Sequence, residues 1–522
     1  MKCTTVAALF VFLGASPLAA QTTPKVTAPP AAFFDRFKEN DREAARLFYK
    51  KHIDASGLSI AAGADVADEA LERTYHIVTH MLAGRPDILA AMQKFGTRLI
   101  IIGKDQVYTD MPEYRNNSNP TYMNERVRGT GGLGVTSFGE ENLLNLPIDR
   151  YDDESIAVHE FCHTIDAALR TIDKGWSKRL ADTYQKAKSK GLWKDAYTAS
   201  NQAEYWAEIA QSYLDCNRVN NWNHNSVGTR EQLKLYDPEG YELCRQAFNF
   251  TPENDWRYKP VRVQPSVIAP PAKFKVDPHY TKFTYAREFV VLGSKQVSDP
   301  ALLKANDAIR KMFAYRHDIL KAMIADGARL VVLCRNEKLS DLPECQAAAK
   351  KAGFDEVRYL DYSPALKLMV VPEENVLRQS GDPFAGKCMV VSVFAKGLYH
   401  VCGTRPVHVD FGKGPKQQYE LRVKRLDVEF DNQLVKLHDA ARSAKLWRGT
   451  PADRDRIEYW AAGVEAYFDA AGAGFPPHGA DRPITTRESL KSYDPGLYTL
   501  VDETMAYKER VDWRFKREAR RD

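Results

Sequence analysis

The chain has 522 residues, which is long enough for two or more domains with their own cores. It carries 74 Lys and Arg against 69 Asp and Glu, so its formal net charge is +5, and the two signs are interleaved. Since no long basic run with interleaved aromatic residues occurs, the composition argues against a nucleic-acid partner.

The chain begins with a short apolar segment that is typical of exported proteins. Lys2 precedes "VAALFVFLGA", and small residues follow before Gln21. This order predicts a secretory signal peptide over residues 1–20. The segment is too short to cross a bilayer, and no later segment is long and apolar enough to do so. We therefore expect a secreted or periplasmic protein without a membrane span.

Most of the remaining sequence occurs twice. "DILAAMQKFGTRLIII" at residues 87–102 returns as "DILKAMIADGARLVVL" at residues 318–333. "AEYWAEIAQSYLD" at residues 203–215 returns as "IEYWAAGVEAYFD" at residues 457–469. Ordered matches along the whole chain indicate a tandem duplication. We expect a first domain over residues 31–259, a proline-rich linker over residues 260–274 and a second domain over residues 275–522.

Each repeat predicts the same order of elements. In the first repeat, residues 67–82 have helical apolar spacing, and residues 97–103 and 134–138 are β-rich runs. Three further helices are expected at residues 155–169, 176–191 and 201–215. Strands early and helices late predict an α+β domain, a small sheet with a site helix and further helices.

The helix expected at residues 155–169, "SIAVHEFCHTIDAAL", carries polar residues in a metal-binding order. His159 and His163 are four residues apart and therefore lie on one helix face. Glu160 lies beside them, where it could act as the general base of a zinc hydrolase. The pattern also arises by chance, so two structural histidines remain an alternative.

A third metal ligand is expected from the helix at residues 201–215. Glu204 and Glu208 are four residues apart among large apolar side chains, where carboxylates are costly to bury unless they are paired or bind a metal. Two histidines and Glu204 would leave one zinc position open, as catalytic sites do. Glu208, together with Asp166, is expected to support the ligands. A solvated acidic stripe is the alternative.

These two segments resemble those of a known family. "HEFCHTID" followed by "YTASNQAEYWAE" resembles the zinc peptidase domain of anthrax lethal factor and of its relatives, the secreted Pro-Pro endopeptidases. The resemblance implies two tandem zincin-like domains and a peptide or protein substrate. It implies that His159, His163 and Glu204 bind one Zn²⁺ per chain and that Glu160 is the general base. It also implies that the phenol of Tyr197 steadies the tetrahedral intermediate.

Two other functions stay open at this point. One is a non-catalytic adhesion or peptide-binding protein of the same fold, and the other is a zinc hydrolase of non-peptide substrates. The glycine-rich segment at residues 126–138 could let a substrate strand approach the backbone, or could be a plain loop.

The second repeat is expected to bind no catalytic zinc. An ungapped alignment on the shared "EYW" motif keeps only Glu204, whose counterpart is Glu458. In the same alignment the other site residues have counterparts that cannot do their work. His159, Glu160 and His163 align with Lys413, Gly414 and Gln417. Tyr197 aligns with Pro451, and Glu208 aligns with Ala462. We therefore predict a catalytically inactive repeat of the same fold.

The seven cysteines that follow the signal peptide are an odd number, so at least one thiol should be unpaired. Neighbouring cysteines suggest three disulfides, Cys388–Cys402 across a hairpin about Lys396 and Gly397, Cys334–Cys345 and Cys216–Cys244, which leaves Cys162 free. Reduced buried cysteines are the alternative.

Overall fold

A computed structural model describes residues 23–146, 148–149, 151, 154–194, 196–217, 224–225, 227–259, 266–314, 316–348, 353–384, 386–403, 428–505 and 513–518. The signal peptide predicted over residues 1–20 lies outside the described residues, as do residues 260–265 of the predicted linker. None of the described helices is long and apolar enough to cross a membrane.

Among its described residues, the first half contains five strands and eleven α-helices. The strands are β1 (Tyr49–Ala55), β2 (Leu58–Gly63), β3 (Arg98–Ile102), β4 (Gly129–Thr130) and β5 (Val135–Gly139). The helices are α1 (Ala31–Phe34), α2 (Glu39–Phe48), α3 (Asp68–Met81), α4 (Pro86–Phe95), α5 (Pro120–Arg126), α6 (Glu140–Leu143), α7 (Ile156–Ile172), α8 (Trp176–Ser189), α9 (Gln202–Tyr213), α10 (Arg230–Tyr236) and α11 (Pro238–Phe248).

The second half repeats this order. Its strands are β6 (Tyr280–Ala286), β7 (Phe289–Ser294), β8 (Arg329–Leu333), β9 (Leu360–Ser363) and β10 (Leu368–Pro372). Its described helices are α12 (Asp299–Met312), α13 (His317–Ala325), α14 (Glu373–Val376), α15 (Met389–Leu398), α16 (Val428–Ser443), α17 (Pro451–Arg454), α18 (Arg456–Tyr467), α19 (Arg487–Tyr493), α20 (Pro495–Met505) and α21 (Phe515–Glu518). A π-helical turn, Tyr399–Gly403, continues α15.

Each half builds one five-stranded sheet with the same topology. The strand orders are β1-β2-β3-β5-β4 and β6-β7-β8-β10-β9. In both sheets the outer pairs are antiparallel and the inner pairs are parallel. Parallel neighbours need helical crossovers, and α3 with α4 provides the one between β2 and β3. The expected mixture of a small sheet and many helices is therefore confirmed.

The strands and helices predicted in the first repeat are all present. The helix expected at residues 67–82 is α3, and the two β-rich runs are β3 and β5. The three later helices are α7, α8 and α9. The sequences of these elements have clear apolar patterns because each element buries one face in the core of its own half.

The end of the predicted linker packs on the second sheet. Ile268 exchanges two backbone hydrogen bonds with Phe283 of β6, at 3.0 and 2.8 Å. Phe274 stacks on the ring of Phe283, with 5.1 Å between the ring centroids. The end of the predicted linker therefore belongs to the packing of the second half.

Equivalent hydrogen bonds show which helices correspond between the halves. The indole Nε1 of Trp206 on α9 donates to the carbonyl of Cys162 on α7 at 2.7 Å. The indole Nε1 of Trp460 on α18 donates to the carbonyl of Ala395 on α15 at 3.0 Å. Helix α15 is thus the counterpart of the helix with the two histidines.

This correspondence corrects the ungapped alignment. The counterpart of His159 is Ser392, so the alignment that chose Lys413 was 413 − 392 = 21 positions too far along the chain. The extra residues follow α15, and Lys413, Gly414 and Gln417 lie outside the described residues. Because sequence matches flank the insertion without marking it, its place could not be read from the chain.

The predicted disulfides are not formed among the described residues. The cysteines whose side chains are described are buried free thiols, Cys162, Cys216, Cys244, Cys334, Cys345 and Cys388. The hairpin expected about Lys396 and Gly397 is also wrong, because these residues lie within α15. A continuous apolar run of this length fits a buried helix as well as two strands.

Candidate metal centre

Helix α7 carries the two histidines toward α9. Ser155 caps the helix, and its hydroxyl accepts a hydrogen bond from the amide of Val158 at 3.3 Å. The apolar residues of α7 pack into the core of the first half, between the sheet and α9. His159 is buried and His163 is partly buried, so both imidazoles lie on the face that meets α9.

Helix α9 brings Glu204 to the same place. Asn201 caps this helix, and its side-chain oxygen accepts from the amides of Ala203 and Glu204 at 2.9 and 3.0 Å. The cap fixes Glu204 in the first turn, where the helix dipole favours a carboxylate. The hydrogen bond from Trp206 to the α7 backbone holds the two helices together.

The three candidate ligand atoms surround a common point. His159 Nε2 lies 3.2 Å from Glu204 Oε2 and 3.2 Å from His163 Nε2. His163 Nε2 lies 3.7 Å from Glu204 Oε2. A tetrahedral ion with ligands at about 2.0–2.1 Å separates its ligand atoms by about 3.3–3.4 Å. His159, His163 and Glu204 could therefore hold a metal ion.

Gln211 orients His159, and the sequence did not point to it. Its Oε1 lies 2.8 Å from His159 Nδ1, and its Nε2 donates to the carbonyl of Ser155 at 3.3 Å. The amide thus presents its oxygen to the imidazole, which places the ring proton on Nδ1 and leaves Nε2 free to bind a metal. Gln211 is seven residues after Glu204, on the same helix face, and that spacing is the signal that could have found it.

Glu208, expected as a supporting acid, also lies beside His159. Its Oε1 is 3.6 Å from His159 Nδ1, and the side chain is buried. Burial lowers the pKa of His159, yet the hydrogen bond to Glu204 and the charges of Glu160 and Glu208 raise it well above its usual value. Burial raises the pKa of Glu204, but both histidines hold it far below the usual range. Glu204 therefore stays an anionic donor beside the two imidazoles.

Glu160 follows His159 on α7 but is not one of the three residues whose donor atoms converge. Burial raises its pKa, while the nearby His159 and His163 and the backbone amide of Gly131 oppose this rise. A carboxylate with a raised pKa, beside a metal position, is suited to accept and return a proton near neutral pH.

The glycines before the site helix allow close packing. A Cβ atom on Gly131 would lie 2.2 Å from the carbonyl oxygen of Glu160 and 2.5 Å from the Cβ of His163. A Cβ atom on Gly129 would lie 3.0 Å from the Cγ of Glu160. The edge strand β4 thus lies directly against α7, and these two glycines are explained by the helix rather than by a flexible loop.

Two other predicted residues have distinct surroundings. Tyr197 is partly buried and begins the 3₁₀ turn Tyr197–Ala199, which leads into α9 close to Glu204. Asp166 accepts a hydrogen bond from Trp176 Nε1 at 2.7 Å and pairs with Arg170 at 3.0 Å. Among the described residues, its contacts anchor α8 to α7 rather than either histidine.

The second half holds an ammonium group at the equivalent place. Lys396 on α15 is the counterpart of His163, and its Nζ lies 2.7 Å from Glu458 and 3.0 Å from Asp361. Ser392 and Val393 stand where the first half has His159 and Glu160. Glu458 and Asp361 thus pair with an ammonium group, and neither imidazole ligand of the first half has a counterpart here.

No family model, no curated protein and no solved structure matches this chain.

Proposed function

We propose that this protein is an exported, zinc-dependent metalloendopeptidase with one active and one inactive repeat. The observation that carries the proposal is the spacing of His159, His163 and Glu204, which fits three corners of a zinc tetrahedron. The fourth corner has no protein ligand among the described residues, as is usual where zinc is catalytic rather than structural.

The ligand set favours zinc among the metals. Two imidazoles and one carboxylate suit Zn²⁺, whereas Mg²⁺ and Ca²⁺ prefer oxygen donors alone. A bound zinc ion would lower the pKa of water and polarise the scissile carbonyl. His159, held by Gln211 at 2.8 Å, and His163 and Glu204 would bind it.

The remaining residues supply proton transfer and orientation. Glu160 takes a proton from the attacking water and returns it to the leaving amine. Tyr197 donates its phenolic hydrogen to the developing oxyanion, the role that the resemblance to the lethal factor peptidases implies. Glu208, whose Oε1 lies 3.6 Å from His159 Nδ1, would help to orient the imidazole and make it a stronger donor. The resemblance of the two site segments to that family is the reason for proposing peptides or proteins as substrates.

The proposal extends to the arrangement of the chain. Each five-stranded sheet with its helices would be a zincin-like domain, the first within residues 31–259 and the second within residues 275–522. The second domain, with Lys396 in the metal position, would be a pseudo-peptidase. The signal peptide would direct the protein to the periplasm or the medium.

A peptide-library cleavage assay combined with zinc analysis tests the proposal on the full chain. Wild type should bind one zinc and cleave peptides. Glu160→Gln should keep the zinc and lose cleavage, and Glu204→Ala should lose zinc because two protein ligands remain. Glu458→Ala, the matched change in the second half, should alter neither zinc content nor cleavage.

Two results would contradict the proposal. Cleavage that persists in Glu160→Gln would exclude this residue as the base. Zinc binding by a wild-type protein that cleaves no peptide would favour a non-catalytic binding protein or a hydrolase of other substrates.

A further inference from the structure

Four hydroxyl groups form a cluster on the first sheet, on Tyr108, Tyr114, Thr130 and Ser137. Thr130 Oγ1 is at the centre, 3.3 Å from Tyr108 Oη, 3.0 Å from Tyr114 Oη and 3.0 Å from Ser137 Oγ. The amide of Thr130 also donates to Ser137 Oγ at 3.0 Å. The two tyrosine rings stack with 4.0 Å between centroids and 7° between planes. This hydroxyl cluster is therefore ordered by several contacts at once.

The hydroxyl cluster holds the strand that lies against the general base. Thr130 is the last residue of β4 and stands between Gly129 and Gly131, and successive residues of extended chain face opposite sides of a sheet. Both glycines lie close to Glu160, because a Cβ atom would come within 3.0 Å of it on Gly129 and within 2.2 Å on Gly131. The side chain of Thr130 points to the other face. Its hydroxyl is thus tied to one side of the sheet while its neighbours touch Glu160 on the other.

Two further hydroxyl groups, on Thr164 and Thr136, hold Gly132 from the side of the sheet that faces α7. Thr164 on α7 accepts a hydrogen bond from the amide of Gly132 at 3.2 Å, and it also bonds to the hydroxyl of Thr136 on β5. Residues 129–132 are consequently held from both faces of the sheet, and Glu160 lies within the same short helical segment as Thr164.

The second half provides an internal comparison. The counterparts of the hydroxyl cluster are all without hydroxyl groups, Leu339, Cys345, Leu360 and Val370. Thr136 and Thr164 correspond to Met369 and Gly397. The half that lost its histidines has thus lost every hydroxyl group of this arrangement.

Hydrogen bonds and ion pairs that support only the fold are kept in both halves. Tyr49 donates to Glu113 in the first half, and Tyr280 donates to Glu344 at the equivalent place in the second. Both halves also keep the buried arginine–glutamate pair, Arg128 with Glu141 and Arg358 with Glu374. Loss of the hydroxyl cluster therefore does not reflect a general loss of polar contacts in the second half.

We propose that Thr130 is a positioning residue for Glu160, and that the hydroxyl cluster exists to hold β4 against the base. The inference rests on the proposed function for its effect on turnover. Its effect on the strand itself is independent of any activity, because the contacts are present in the protein alone.

The test compares Thr130→Val, Thr130→Ser and Tyr49→Phe as full-length proteins. Valine keeps the β-branched shape and removes the hydroxyl, whereas serine restores it. Tyr49→Phe removes a buried hydroxyl of the same sheet outside the hydroxyl cluster. Hydrogen–deuterium exchange over residues 129–132 and peptide turnover are both measured.

In Thr130→Val we expect amide exchange over residues 129–132 to accelerate about tenfold or more. The kcat should fall about 10- to 100-fold with little change in KM, because a base displaced by about 1 Å loses that much rate. Thr130→Ser should regain most of both. Tyr49→Phe should lower stability and leave both readouts unchanged.

Unchanged exchange in a folded Thr130→Val protein would overturn the proposal, whether or not the protein is a peptidase. Faster exchange with unchanged kcat, or a rise in KM without a fall in kcat, would also overturn it. If the wild type cleaves no peptide, the proposed function fails, and the exchange measurement still decides whether the hydroxyl cluster holds β4.

Discussion

Replacement of Gly131 by alanine should damage the site more than any other single-methyl change near it. The added Cβ would lie 2.2 Å from the carbonyl oxygen of Glu160, where ordinary contacts begin at 3.4 Å. The strand must then retreat from α7 by about 3.4 − 2.2 = 1.2 Å, since a backbone atom cannot rotate away. Overpacking of this kind costs about 1–3 kcal/mol.

Gly132→Ala is the matched control. A Cβ atom there has its nearest neighbour, the carbonyl oxygen of Val135, at 3.5 Å, which is an ordinary contact. We expect this variant to change the free energy of unfolding by less than about 0.5 kcal/mol. Gly131→Ala should lose about 1–3 kcal/mol and also lower kcat, up to about 100-fold, because Glu160 shifts with the strand.

Urea unfolding of the zinc-loaded proteins and steady-state peptide cleavage would measure both effects. Equal unfolding free energies for the Gly131 and Gly132 variants would refute the packing argument. A rise in KM alone in Gly131→Ala, at unchanged stability, would instead support approach of a substrate strand to this segment.

Three further outcomes are expected. Gln211→Leu should weaken zinc binding about 10- to 100-fold in a chelator competition, since His159 loses its 2.8 Å partner, and unchanged affinity would contradict that role. Tyr197→Phe should lower kcat about 10²–10³-fold with zinc retained, and unchanged turnover would make Tyr197 a packing residue. Ser392→His combined with Lys396→His should raise the zinc content from one to two per chain, and a folded variant with a single zinc would refute the equivalence of α15 and α7.

Much of the fold could be predicted because its signals are local in the chain. Apolar residues at helical spacing marked α7 and α9, and the β-rich run at β3 was short and ended in glycine. The duplication was also visible, because ordered matches survive along both halves. The sequence alone did not show that the sheets are mixed, since strand direction depends on how the crossovers pack.

The candidate ligands could also be predicted, because their spacing along each helix is a local signal. His159 and His163 share a face at a spacing of four residues, and so do Glu204 and Glu208. The meeting of the two helices was an inference from chemistry, and the structure brings three of these side chains together. The spacing could place Gln211 on the ligand face of α9 but could not assign its role, because that role depends on which imidazole nitrogen faces it.

What the sequence determined by itself is therefore the set of elements, their duplication and the face on which each ligand lies, because backbone periodicity fixes those within one element. Only the tertiary structure decided the contacts between elements. It placed Lys396 at the position of His163, β4 against Glu160, and Thr130 at the centre of the hydroxyl cluster. Such contacts depend on how segments that are distant in the chain pack together, and no local pattern of residues encodes that packing.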